Sequence, residues 1–63
     1  MYKICRVDVD PDTEEVTYFE IQAVYRWKDL NRGKAKESGF VGPLDQLVIL
    51  GPDDEIKEWI LRP

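Results

Sequence analysis

Histidine is absent from this 63-residue chain, and cysteine occurs once, at Cys5. Without histidine there is no imidazole general base and no zinc site of Cys/His type. With one cysteine no intrachain disulfide forms, which argues against a secreted disulfide scaffold and for a reducing, cytoplasmic setting. Long apolar runs are missing as well. No stretch approaches the ~20 residues of a membrane span, and Met1-Tyr2-Lys3-Ile4-Cys5-Arg6 leads into Asp8-Val9-Asp10 rather than into a signal-type segment, so no membrane association is expected. There is no glycine-rich phosphate loop and no serine elbow, Ser38-Gly39 standing without the rest of that motif. Asp8-Val9-Asp10-Pro11-Asp12 opens like a calcium loop, but Thr13 stands where that loop needs glycine and Phe19 where it needs a bidentate glutamate. The expectation is therefore a non-enzymatic protein with no cofactor, no metal and no small-molecule substrate.

Size sets a second limit. A chain this short is expected to form a single domain over residues 1–63, and its mass scales to a folded surface of roughly 4,200 Å². Burial then contributes on the order of 100 kcal/mol against about 95 kcal/mol of ordering entropy. So narrow a balance needs close packing or a partner, and a homodimer is the expected remedy.

The regular elements follow from patterning. Tyr2 to Val9 is rich in β-branched and aromatic residues and reads as a strand, with Cys5, Val7 and Val9 on one face. In Asp10-Pro11-Asp12-Thr13-Glu14, Pro11 presets φ for a turn, and Glu14 falls where glycine is more comfortable. Val16 to Lys28 places Phe19, Ile21, Ala23, Tyr25 and Trp27 at period two, which predicts a long central strand with those side chains turned inward. Asn31-Arg32-Gly33 then reads as a hairpin loop with Gly33 left-handed, returning as a third strand over 34–41. Leu47-Val48-Ile49-Leu50 fits either a buried strand or a buried helix end.

For the last segment a helix is favoured. Pro52 suits a first helical position, acids follow it, and Ile56, Trp59 and Ile60 have i, i+3, i+4 spacing. The alternative is a hairpin turning at Gly51-Pro52-Asp53-Asp54. The fold expected is thus α+β, a three- to four-stranded antiparallel meander packed by a C-terminal helix; the alternative makes it a small all-β barrel of SH3-like type. Val16, Tyr18, Val24 and Phe40 offer apolar surface that such a helix leaves uncovered, so a second layer is required, from residues 43–50 or from another copy of the chain.

Charge is unevenly distributed. Residues 26–36 carry Arg26, Lys28, Arg32, Lys34 and Lys36 against Asp29, a formal charge of +4, whereas residues 8–20 hold six acids and no base. In a hairpin the five basic residues, all at even positions, line one face and make a candidate surface for an acidic protein or for phosphate. A soluble, unpaired strand edge is the plainer account of the same lysines. The functional expectation is a small protein-interaction module, its size suiting an accessory protein of phage or mobile-element type. A nucleic-acid-binding accessory protein using the same segment is the alternative, disfavoured by the overall charge of −4.

Overall fold

The computed structural model describes residues 1–62 and contains four strands: β1 (Tyr2–Val9), β2 (Val16–Val24), β3 (Gln46–Leu50) and β4 (Ile56–Leu61). All neighbouring pairs are antiparallel, in the order β2-β1-β3-β4. β1 and β3 are therefore central, and β2 is an edge strand rather than the middle of a meander. Because β2 and β3 flank β1 on opposite sides, the chain must cross the sheet between them, and such crossovers take a dozen or more residues. The 21 residues from Tyr25 to Asp45 supply the crossing.

No hairpin forms at 26–36, and no strand at 34–41. The crossing segment instead holds a 3₁₀ turn at Trp27–Asp29 and a short helix, α1 (Arg32–Lys36). From Lys28 to Ser38 there is no β-branched residue, and Arg, Lys and Ala are good helix formers. Asn31 starts the helix by accepting the Lys34 backbone amide on Oδ1 at 2.9 Å. Gly33 is not left-handed; among the described residues positive φ occurs at Glu14 and Asp54, both at 61°.

The crossing segment packs on one face of the sheet, termed here the covered face. Leu30 and Ala35 meet Ile4, Leu47 and Ile49 there, with Tyr2, Ile21, Val24, Val41, Ile60 and Leu61 around them. Polar ties fasten it to three strands. Gln22 on β2 accepts from Asn31 N at 2.8 Å and donates to Asn31 O at 3.3 Å. On β1, Arg6 donates to the Phe40 carbonyl while lying over the Phe19 ring, 4.7 Å from its centroid. From α1, Arg32 grips Glu58 on β4 through two hydrogen bonds of 2.6 and 3.0 Å.

The expected C-terminal helix is absent: residues 56–61 form β4, reached through the hairpin turn at 51–54. Gly51 N donates to Glu55 O and Asp54 N to Gly51 O, each at 2.9 Å, closing the turn around Pro52. The helical spacing of Ile56, Trp59 and Ile60 has a different origin. Ile49 pairs with Glu58 and Leu50 with Ile56, leaving Lys57 as an extra residue; likewise Leu47 pairs with Leu61 and Val48 with Trp59, leaving Ile60 extra. Two bulges thus convert period-two alternation into three- and four-residue steps. A third, at Ile21 on β2, lies between the pairs Ile4–Gln22 and Cys5–Glu20 and breaks the parity expected along that strand. The result is a mostly β structure with one short helix. Its sheet remains open, with β2 and β4 as edges and not closed as a barrel.

Both hairpin turns place a non-glycine residue in the left-handed region, where an L side chain costs roughly 1–2 kcal/mol. Aspartate tolerates this region better than glutamate. Glu14→Gly should raise unfolding stability in urea by about 0.5–1 kcal/mol, and Asp54→Gly by less. A loss of stability at Glu14 would show that its carboxylate makes a compensating contact. Ile49→Ala, at a fully buried site, should cost about 2–5 kcal/mol in the same measurement.

Candidate interaction surfaces

The five basic residues named from the sequence all lie on the crossing segment, but not as one row, and Arg32 turns back to the covered face. Arg26 is exposed and pairs with Asp29 at 3.5 Å. Arg32 is half-buried, occupied by Glu58, and stacked 5.3 Å from the centre of the Trp27 ring. Lys28, on the 3₁₀ turn, and Lys34 and Lys36, on α1, are exposed and have no ion-pair partner among the described residues. In a helix Lys34 and Lys36 project to either side of the buried Ala35, since successive residues turn by about 100°. The candidate site thus reduces to three lysines, with two arginines engaged in holding the fold.

Aromatic neighbours depart from the inward orientation that alternation predicts. Tyr25 is 82% exposed, next to Arg26 and within three residues of Lys28. Trp27 sits at the rim of the covered face, its ring edge-on to Tyr2 at 5.4 Å. β2 ends at Val24, so the period-two rule stops before either of them.

The acidic stretch 8–20 forms the far end of the β1–β2 hairpin, extending past the β1 residues Lys3–Val7 that pair with β3. Two of its carboxylates have local tasks: Asp8 pairs with Arg6 at 3.0 Å, and Asp10 Oδ1 accepts the backbone amides of Asp12 and Thr13. No group of three or more metal-ligating side chains converges among the described residues. No helix in the structure is long and apolar enough to cross a membrane.

A second surface was not foreseen as a unit. Cross-strand partners share a face of the sheet, so Lys3, Cys5, Val7 and Val9 of β1 lie with Ala23, Glu20, Tyr18 and Val16 of β2, and with Val48 and Leu50 of β3 and Trp59 and Ile56 of β4. Cys5, Val48 and Leu50 form a buried cluster here with Val7 and Trp59. No residue of the crossing segment joins that cluster, so this is the bare face. Val9 and Val16 are more than half exposed, and Tyr18 and Ile56 are also open. A cleft of about 300 Å³ lies on this face, lined by Lys3, Cys5, Tyr18, Glu20, Leu50 and Asp54. Burial, reinforced by Glu20, pushes the Cys5 thiol above its ordinary value and keeps it in the unreactive protonated form. The signal available in the sequence was the Leu47–Leu50 run, whose four apolar residues must serve both faces of a strand.

Comparison with known proteins adds no relative: no family model matches the chain, and neither does any curated protein or solved structure.

The Arg32–Glu58 tie carries a pH signature. Its hydrogen bonds hold the Glu58 carboxyl below the usual glutamate range, with burial opposing. As the folded-state value is the lower one, the contribution is present above the ordinary glutamate range and is lost as pH falls through the folded value. Urea midpoints measured between neutral pH and about pH 3 should therefore fall less for Glu58→Gln than for the parent chain. Equal falls would show that the pair adds nothing to stability.

Proposed function

We propose that this chain is a non-enzymatic protein-interaction module that recognises an acidic partner through the basic crossing segment. The observation that carries this reading is the set of three lysines, Lys28, Lys34 and Lys36, exposed without acidic partners among the described residues on a segment tied to β2 and β1 through its backbone and to β4 through Arg32. Charges on a fixed support lose little entropy on binding and steer an oppositely charged partner toward one side of the molecule. Arg26 and Arg32 contribute to the local positive field while remaining paired with Asp29 and Glu58. The acidic β1–β2 ribbon repels the same partner elsewhere, which favours one orientation of approach.

A second reading, a nucleic-acid-binding accessory protein, is favoured by one feature. Tyr25 presents an exposed ring beside the basic residues, as a base-stacking side chain would. Against it stands a net charge of −4, and a single tyrosine is a small stacking platform.

The two are separated with polyglutamate and a single-stranded oligonucleotide as probes at low salt. Lys28→Glu/Lys34→Glu/Lys36→Glu should abolish binding to polyglutamate, and binding to the parent chain should weaken steeply as salt rises. Tyr25→Ala should leave polyglutamate binding unchanged. If Tyr25→Ala weakens oligonucleotide binding by about tenfold, the magnitude expected for one stacked base, the second reading replaces the first. Retention of neither probe by the parent chain at low salt would dismiss both.

A further inference from the structure

We propose that the bare face of the sheet is closed by a second copy of this chain, packed face to face about a two-fold axis that brings Lys3 of each protomer against the partner's Glu20. The inference uses the side of the sheet opposite the basic segment, so it does not rest on the reading above and stands or falls separately.

Three observations select this occupant. The first is the distribution of apolar side chains. β3 sends Leu47 and Ile49 to the covered face and Val48 and Leu50 to the bare one, where these two are buried by their neighbours while Val9, Val16, Tyr18 and Ile56 stay exposed and Val7 and Trp59 half-buried, without any chain segment above them. The second is area. The molecule is a plate 15 Å thick with a face of 36 × 26 Å, on the order of 900 Å², and a standard interface needs about 800 Å² from each partner.

The third observation is charge. Lys3 and Glu20 have opposite signs, lie on the same face on adjacent strands, and line the same cleft on either side of Cys5; the third charged residue of its lining, Asp54, is exposed on the β3–β4 turn. Neither is within ion-pair distance of an opposite charge among the described residues. An acidic partner would satisfy the lysine and strand the glutamate, and a basic one would do the reverse. A two-fold related copy satisfies both, because each contact occurs twice with the roles exchanged. Unpaired charges under a closing interface are costly, so this complementarity decides between occupants of similar shape.

Sedimentation across a concentration series, combined with charge exchange, tests the proposal. The parent chain should run at twice its 7.4 kDa mass at tens of micromolar. Lys3→Glu and Glu20→Lys should each weaken self-association by about tenfold or more, since each sets like charges against one another twice. The double variant Lys3→Glu/Glu20→Lys should return to within a few-fold of the parent, a recovery that a binder of fixed charge would not produce, and equal urea midpoints for the singles and the parent separate it from a relief of like charges within the monomer. Circular dichroism on all four proteins checks that the sheet is intact. A monomer mass maintained to about 1 mM, or a double variant as weak as the singles, would overturn the proposal.

Discussion

Four consecutive apolar residues in an extended strand impose the condition from which the rest of this structure follows. Leu47, Val48, Ile49 and Leu50 alternate between the two sides of the sheet, and all four are buried. Such a strand has to be internal, with hydrogen-bonded neighbours on both flanks, which is why β1 lies on one side and the last residues of the chain form β4 on the other. It also demands shielding above and below. The crossing between β2 and β3 supplies one covering layer. The opposite side of the sheet has no such layer among the described residues.

The covering layer is weak by itself. A helix of five residues is far below the length at which an isolated helix persists in water. Leu30, Ala35 and Val41 give it an apolar underside, and Gln22, Arg6 and Glu58 hold it by polar contacts from three different strands. This division of labour explains why the positive charges of the segment are unequal in role. Arginine, with its planar fork, is used where a carboxylate must be held in two places, and the lysines are left where the surface meets water.

Much of this was legible in the residues. β-branched and aromatic enrichment locates β1 and β2, the latter drawn four residues too long, Pro11-Asp12 locates the first hairpin turn, the second is met only by the alternative to the favoured C-terminal helix, and the unfavourable placing of Glu14 is visible in the residues that precede its φ of 61°. The errors share a physical cause. Alternation assumes an unbroken pleat, and each bulge adds a residue that periodicity counts as a change of face or of element. Ile21 reversed the assignment of Phe19 relative to Ala23, and Lys57 and Ile60 made a strand resemble an amphipathic helix. The basic segment was located correctly as a concentration of charge but misjudged as a hairpin, because Gly33 drew attention as a turn residue while Asn31, the actual cap of α1, did not. Had the missing β-branched residues between Lys28 and Ser38 been weighed first, a helix was the natural reading. The bare face could not be delineated without knowing which strands are neighbours.

All three bulges fall on β2 and β4, the two strands whose outer backbone groups have no partner in the sheet. An extra residue interrupts the regular row of amides and carbonyls that another strand would need as a template, and it twists the margin out of plane. Lateral accretion into ribbons or fibrils is thereby discouraged. The rims of so thin a plate are guarded by their own irregularities against the edge-to-edge pairing open to flat, unguarded sheets.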